Sequence, residues 1–209
     1  MSAPHSQPES HECTRDRILA VAREVFSECG FKGATVREIC RRAEVNVAAV
    51  NYHFSSKEAL FMAALSFEPL IGMIAADNSA GSAKARLTHF IQEFTTRLMT
   101  ENGTPQSQLM MRELIEPSLA LDSIVKEVIA PLHEHLTRLV RDVVGDGISA
   151  DELRRCVFSI LGQCSFYRHS TEVNRRLYPE LRFDPKEIEA TARHITEFSL
   201  AGLGRIARK

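Results

Sequence analysis

Apolar residues along most of this chain recur at intervals of three and four positions, which is the spacing of one face of an α-helix. One apolar stripe runs from Ile18 to Phe26 and stops at Gly30, and a second runs from Leu87 to Leu98. No stretch shows a convincing alternation of the kind that marks a half-buried strand. The pattern therefore predicts an all-α fold of about nine helices.

Residues that favour helix starts stand ahead of several predicted helices. Five side chains suited to N-caps are found there: Thr35, Asn46, Ser55 with Glu58 three residues later, Ser149 with Glu152, and Asp184 before Pro185. The last of these predicts a final helix over residues 185–206, because proline is favoured in the first turn of a helix.

Prolines predict where helices bend or end. Pro69 is expected to kink or end helix 4, which we place from Ser55 onward. A short helix over residues 106–115 should stop before Pro117, and a long helix over residues 119–144 should be kinked at Pro131.

Three regions follow from this pattern. Residues 1–13 are polar and rich in Pro and Ser, without the basic and apolar segments of a secretory signal, and predict a disordered tail. Residues 14–60 predict a small three-helix domain, and residues 61–209 a larger helical bundle. No run of 18 apolar residues occurs, so no transmembrane helix is expected.

Cysteine usage and the absence of catalytic motifs narrow the class of protein. The five cysteines are an odd number without a C-x-x-C pair, which favours a reduced, cytoplasmic protein over a disulfide scaffold and leaves redox sensing open. His133 and His135 are two residues apart and point to different helix faces, so they form a poor metal pair. We find no phosphate loop, nucleophile elbow or zincin motif. We therefore expect no catalytic residues, no cofactor and no metal, and not an enzyme.

The net charge of −1 conceals an asymmetry between the two parts of the chain. Residues 14–57 hold eight Lys and Arg against five Asp and Glu, a net charge of +3, and the remainder carries −4. A basic end on an acidic body is compatible with local binding of a polyanion such as DNA.

Two short helices joined by "AEVN", residues 43–46, form a helix-turn-helix pattern. The second helix begins with Val47, Ala48 and Ala49, whose small side chains allow close approach to a major groove about 12 Å wide and contact with thymine methyl groups. Asn46 and Asn51 add amides that hydrogen-bond base edges. Nearby side chains suited to phosphate contacts, which fix the position of the protein on the duplex, are Thr35, Tyr52 and Lys57.

The string "ATVREICRRAEVNVAAVNYHFSSKEALF" resembles the N-terminal domain of TetR-type transcriptional regulators, over about residues 14–65. The segments "MMRELIEPS", "APLHEHLTRLV" and "GQCSFYRHS" are similar to the C-terminal domain of the CecR-like subgroup. The resemblance implies an all-helical homodimer with a small DNA-binding domain, a larger domain that binds an effector, and dimerisation through the last two long helices. It also implies bases facing Arg37, Val47, Ala48, Ala49 and Asn51, and a DNA backbone near Thr35, Tyr52, His53 and Lys57.

The chain departs from that family pattern at two positions. Glu44 stands where the turn usually has glycine, so this residue must adopt an unfavourable backbone or a different turn. Asn51 replaces the usual tyrosine of the recognition helix, with Tyr52 following it. Because of this second departure, the family pattern does not directly support the contact of Asn51 with bases or that of Tyr52 with phosphates.

Kinked helices pack imperfectly, so a ligand cavity in the large domain is plausible. Its candidate lining residues are Phe67, Met73, Phe90, Phe94, Met110, Met111, Glu113, Cys164 and Tyr167. Arg112, Arg168 and His169 add polar groups that suit ligand orientation. The alternative is that the apolar members are simply core residues.

For the dimer interface we predict apolar stripes on the helices over residues 150–169 and 185–206. Its members would be Val157, Ile160, Leu161, Cys164, Ile188, Ile195 and Phe198. For the release of DNA on ligand binding, we expect a kink at Pro69, late in helix 4. Such a kink would let ligand-facing residues move helix 4, and with it the second helix of the helix-turn-helix, which we call the recognition helix.

The leading hypothesis is a dimeric repressor released from a palindromic operator by an unidentified small molecule. The alternatives are a constitutive DNA-binding regulator or structural factor without an effector, and a helical enzyme or carrier. The operator, the effector, the target genes and the choice between repression and activation are left open by the sequence.

Overall fold

The computed structural model describes residues 9–65, 67–75, 81–118 and 120–207, and over these residues the chain is helical without any strand. The helices are α1 (Glu9–Gly33), α2 (Val36–Arg42), α3 (Val47–His53), α4 (Lys57–Leu65), α5 (Glu68–Ala75), α6 (Ala83–Thr100), α7 (Pro105–Ile115), α8 (Ala120–Ile124), a π-helical segment (Val125–Ile129), α9 (Ala130–Val144), α10 (Ala150–His169), α11 (Thr171–Leu177) and α12 (Pro185–Ile206). The all-α prediction is confirmed.

The chain folds into two compact units. The reading unit, as we name the first, comprises the chain up to Phe67 together with Gly103–Val125. The bundle unit comprises Glu68–Asn102 and the chain from Lys126 onward. The helix-turn-helix segment therefore shares one unit with α7 and α8, which lie far from it in sequence.

The reading unit is built around α1, which packs against α2, α3, α4 and α7. Phe26 on α1 meets Phe61 on α4 edge to face, with ring centroids 4.9 Å apart, and Phe31 contacts Phe61 in the same way at 5.0 Å. Val50 of α3 and Leu109 of α7 are buried as well. Burial of this apolar set stabilises the mutual placement of α2 and α3.

The bundle unit consists mainly of α6, α9, α10 and α12, and α6 packs against each of the other three. Its core is one cluster of buried apolar side chains from these helices: Leu87, Phe90, Ile91, Phe94, Leu132, Leu136, Leu139, Val140, Val144, Leu153, Cys156, Val157, Ile160, Cys164, Ile195 and Leu203. No helix in the described part of the chain is long and apolar enough to cross a membrane.

Most of the predicted helix starts are confirmed, and one is wrong. The hydroxyl of Thr35 accepts from the Glu38 amide at 3.2 Å, and Asp184 accepts from two amides at the start of α12. Helix α4 begins at Lys57 rather than at Ser55, because Ser56 is the cap: its Oγ accepts from the Ala59 amide at 3.0 Å.

The prediction that Pro69 lies late in helix 4 is also wrong. Helix α4 ends at Leu65, and Pro69 lies at the second position of α5. Proline is favoured in the first turn of a helix, where its missing N–H costs no hydrogen bond. The proposed leverage of a kink in α4 therefore has no structural basis.

Where a kink was predicted at Pro131, the helix contains a π-helical segment that ends two residues before this proline. Pro131 has no N–H to bond the carbonyl of Glu127 and its ring crowds that carbonyl, so the backbone widens over Val125–Ile129. Helix α11 was not anticipated. Its apolar residues Val173 and Leu177 are exposed, so the segment has no buried stripe from which to predict it.

Candidate nucleic-acid interface

The turn between α2 and α3 is a helix C-terminal motif closed by backbone hydrogen bonds. The N–H of Val45 donates to the carbonyl of Cys40 at 3.0 Å, and the N–H of Ala43 donates to that of Ile39 at 2.8 Å. Glu44 has φ of 52°, in the left-handed region that favours glycine. The unfavourable backbone predicted for Glu44 is confirmed.

Helix α3 starts directly after this turn and is fixed at its first residue. The Oδ1 of Asn46 accepts from the Ala49 amide at 2.8 Å, so this side chain is the N-cap of α3. Val50 is buried against the core of the unit. The cap and the buried valine together set which face of α3 is presented to solvent.

The outer face of α3 carries the side chains predicted to read bases. Val47, Ala48 and Asn51 are exposed, and Ala49 is half-buried. Tyr52 is 76% exposed, which is a high value for so large an aromatic side chain. The face is narrow, apolar near its start and polar toward its end, and it is free of carboxylates.

Cationic side chains flank this face. Arg37, in the first turn of α2, is exposed. Lys57 is the first residue of α4, and its Nζ lies 4.6 Å from the centroid of the Phe31 ring. The ring of His53 is half-buried and packs edge to face on Tyr52 at 5.0 Å. Thr35, the cap of α2, is exposed.

Two carboxylates of this region, those of Glu28 and Glu38, are paired with arginines. Glu38 binds Arg41 through two hydrogen bonds of 2.9 and 2.7 Å, and Arg42 through one of 2.7 Å. Its hydrogen bonds to Arg41 and then to Arg42 lower the pKa of Glu38 to about 2. Arg42 also donates two hydrogen bonds of 2.8 Å to the carboxylate of Glu28 on α1, and these lower the pKa of Glu28. The Arg42–Glu28 pair joins α2 to α1, and the pairs of Glu38 lie within α2.

Arg112, which the sequence suggested as a ligand-orienting group, contacts α1. Its Nη1 donates to the carbonyl oxygens of Ser27 at 3.3 Å and Glu28 at 3.1 Å. Glu113, also on α7, is buried and accepts from the N–H and the hydroxyl of Ser118 at 2.7 and 2.8 Å. Both side chains therefore hold backbone segments within the reading unit.

The predicted ligand-lining residues fall into both units. Phe90, Phe94 and Cys164 are buried in the bundle core, and Met73 and Tyr167 pack against that cluster partly exposed. The remaining four belong to the reading unit, where Glu113 is buried and the others are half-buried: Phe67, Met110, Met111 and Glu113.

The cysteines show no arrangement for metal binding or disulfide formation among the described residues. All five are free, and no group of three His, Cys, Asp or Glu is placed to hold a metal in that part of the chain. Burial raises the pKa of the Cys164 thiol to about 11, against a hydrogen bond from Thr95 at 3.3 Å. Cys164 is therefore a neutral, unreactive thiol at physiological pH.

The predicted dimer stripe is wrong for most of its members. Val157, Ile160, Cys164, Ile188 and Ile195 are buried within the bundle, because α10 and α12 use this face against α6 and α9. Leu161 is partly buried on the same core. Phe198 alone of the set is well exposed, at 65%.

A different face of α10 and α12 is open to solvent. A groove of about 330 Å³ runs between them, and its lining includes Ser159, Ile160, Phe198, Ser199, Gly202 and Leu203 together with the charged Glu152 and Arg155. Phe166 of α10 is exposed as well. We refer to this surface as the α10–α12 face.

Two protein families match this chain, one over the helix-turn-helix region and one over the helical bundle. The family described as bacterial regulatory proteins, tetR family, matches residues 18–64. The C-terminal domain of the HTH-type transcriptional dual regulator CecR matches residues 83–203, which is more than half of the chain. Both are families of transcriptional regulators and not of enzymes.

Individual proteins show the same relationship. The HTH-type transcriptional dual regulator CecR of Shigella flexneri is 26% identical over 199 residues, covering 88% of this chain and 89% of that protein. The HTH-type transcriptional repressor NicS of Pseudomonas putida is 36% identical over 102 residues, covering 43% and 48%. The crystal structure of the transcriptional regulator FadR from Bacillus subtilis in complex with stearoyl-CoA superimposes with a TM-score of 0.66 at 18% identity, covering 90% of this chain and 98% of that one.

The helix-turn-helix geometry and both family matches lead to one assignment. The chain belongs to the TetR family of bacterial transcriptional regulators and carries a C-terminal domain of the CecR type.

Proposed function

We propose that this chain is a dimeric repressor that binds a palindromic operator through α3 of each copy and leaves it when a small molecule binds the bundle unit. The observation that carries the proposal is the outer face of α3. Val47, Ala48 and Asn51 are exposed while Val50 anchors the helix from beneath. A short helix with small leading side chains fits the major groove.

The contacts divide into those that read bases and those that hold the backbone. We assign base contacts to the outer face of α3 and to the first turn of α2: Arg37, Val47, Ala48, Ala49 and Asn51. Backbone contacts fall to Thr35, Tyr52, His53 and Lys57. The Oδ1 of Asn46 is engaged by the cap, which leaves its amide NH₂ to donate to a DNA acceptor.

The second copy of the chain is the partner we propose for the α10–α12 face. Most side chains that line that face are uncharged, among them Phe198, Gly202 and Ser159, and its charged members are Glu152 and Arg155. Aromatic anchors next to small residues suit a self-complementary interface of about 800 Å² on each partner. Two recognition helices held in fixed relation are what a palindromic operator in cytoplasmic DNA requires.

The effector we propose is a molecule with an apolar portion, bound among the side chains of the bundle core. Phe90 and Phe94 stack there with centroids 5.7 Å apart, and Met73 and Tyr167 lie at the edge of the cluster. FadR, which shares the fold, holds stearoyl-CoA in its crystal structure. This similarity supports a ligand of the same apolar character.

One observation favours the alternative of a regulator without an effector. Phe90 and Phe94 are almost fully buried, so a ligand enters only if the cluster opens. Measuring operator affinity with and without long-chain acyl-CoA separates the effector-controlled repressor from the constitutive regulator. A loss of affinity of about 5–150-fold, the usual size of allosteric coupling, supports the effector-controlled repressor. An unchanged affinity across apolar acids and their thioesters supports the constitutive regulator.

Selection of genomic DNA fragments bound by the purified protein tests the proposed function. We expect enrichment of an inverted repeat whose half-sites lie 34–36 Å apart, or a multiple of that distance, on one face of the duplex. The genes next to the enriched sites would narrow the chemistry of the effector. Fragments enriched without any shared motif would overturn sequence-specific operator binding.

A further inference from the structure

The carbonyl groups at the end of the main part of α1 bond to a side chain on α7. The helical run of α1 breaks at Gly30, where φ is 68° and ψ is 178°. The last four carbonyls of a helical run lack helical N–H partners. Arg112 supplies donors to two of them, at Ser27 and Glu28, and its charge complements the negative end of the helix dipole.

Gly30 leaves the space that this contact needs. A Cβ at position 30 would lie 3.0 Å from the Nε of Arg112 and 3.1 Å from its Cζ. The guanidinium is thus seated directly against the backbone where α1 breaks. Gln108, one turn earlier on α7, adds a contact to the hydroxyl of Ser27 at 3.3 Å.

Glu28 is held by two arginines from different helices. Arg112 of α7 bonds its carbonyl, and Arg42 of α2 bonds its carboxylate with two hydrogen bonds of 2.8 Å. Arg42 is the last residue of α2, and the turn at Glu44 follows two residues later. Charge-assisted hydrogen bonds therefore connect α7 through Glu28 to the start of the turn that leads into α3.

We propose that Arg112 is a positioning residue for operator binding, which holds the end of α1 so that α2 and α3 keep the orientation that reads DNA. The inference rests on the proposed function, because it assigns to that function a residue outside the helix-turn-helix segment. It also gives α7 a route to regulate binding. Displacement of α7 would withdraw Arg112 from Glu28 and free the α2–α3 turn.

Arg112→Met is the variant to test, since it keeps the apolar stem and removes the guanidinium. Arg112→Lys is the conservative variant, with an ammonium that still donates to a carbonyl. Glu116→Gln is the matched control: Glu116 directly follows α7, its carboxylate lies 3.7 Å from the Nε of Arg112, and glutamine keeps the shape of the side chain while removing its charge.

Two readouts are needed, hydrogen exchange of the free protein and binding to operator and random DNA at one salt concentration. For Arg112→Met we expect faster exchange over residues 27–34 and 38–45, and about tenfold weaker operator binding with unchanged affinity for random DNA. Arg112→Lys should recover part of the loss, and Glu116→Gln should match the wild type. A merely destabilised protein would lose both affinities in parallel.

Unchanged exchange, unchanged operator affinity, or a parallel loss on both DNAs would each overturn the role of Arg112. If Arg112→Met cannot be purified folded, Arg112→Lys alone decides: wild-type behaviour in both readouts would count against a need for the planar guanidinium, and intermediate values would support it. If the wild type itself selects no operator, the proposed function fails, and hydrogen exchange still tests the contact with α1.

Discussion

The N–H of Val45 reaches back to the carbonyl of Cys40 at 3.0 Å, and this bond holds Glu44 between them in a left-handed conformation. A non-glycine residue costs about 1–2 kcal/mol in that region. The turn that orients the recognition helix therefore carries strain at one residue.

Replacing Glu44 with glycine should relieve this strain. We expect Glu44→Gly to raise the free energy of unfolding by about 1 kcal/mol relative to Glu44→Ala, because both variants remove the carboxylate and only glycine accepts the backbone without cost. Chemical denaturation of the two variants measures the difference. Equal stabilities would mean that the turn relaxes around a side chain at this position.

Lys57 should act on all DNA sequences alike. We expect Lys57→Ala to weaken binding to operator and random DNA similarly and to reduce the slope of log affinity against log salt by about one. Lys126→Ala, an exposed lysine of the bundle unit, is the control and should leave the slope unchanged. A slope that Lys57→Ala does not alter would remove Lys57 from the phosphate contacts.

Phe198 should be needed for the dimer. An arginine at this position would place an unpaired charge in the α10–α12 face, so Phe198→Arg should give monomers in sedimentation experiments and weak operator binding. Val173→Arg on α11, where the native side chain is also more than half exposed, is the matched control and should remain dimeric. A dimeric Phe198→Arg protein would place the interface elsewhere.

Glu38 should stay ionised to low pH. Its pKa is lowered from 4.5 to about 2 in the fold, so its ion pairs contribute stability above pH 4.5 and lose that contribution as the pH falls through about 2. In an NMR titration Arg41→Gln should raise the pKa of Glu38 toward 4.5, because hydrogen bonding to Arg41 is the largest cause of the shift. Arg37→Gln is the control, because Arg37 lies outside the ion pairs of Glu38, and it should leave the pKa of Glu38 unchanged. An Arg41→Gln protein in which the pKa of Glu38 is also unchanged would contradict the role of Arg41.

Local signals in the sequence predict most of the helix starts. Thr35, Asn46 and Asp184 cap the helices they precede, because capping depends on residues within one turn. The left-handed conformation of Glu44 is predicted by the family resemblance, because Glu44 stands where the family turn usually has glycine. Ser55 fits the capping-box pattern because Glu58 stands three residues later, whereas Ser56 is followed at that spacing by Ala59. The turn geometry nevertheless makes Ser56 the cap.

Long-range packing accounts for what the sequence did not show. The apolar stripe containing Val157 and Ile195 reads equally well as an interface or as a core, and only the packing of α6 and α9 decides that it is core. The contact of Arg112 with Glu28 joins residues 84 positions apart, so no spacing rule applies to it. Helix α11 lacks a buried apolar stripe altogether.

The most direct test of the account is a competition between the selected operator and a scrambled duplex, at one physiological salt concentration. The wild type should prefer the operator by at least about a thousandfold, as specific DNA-binding proteins do. Asn51→Ala should weaken operator binding by about 1–3 kcal/mol and relax the preference at one base pair, with affinity for the scrambled duplex unchanged. Equal affinity of the wild type for both duplexes, or an equal loss on both in Asn51→Ala, would contradict the claim that α3 reads the operator.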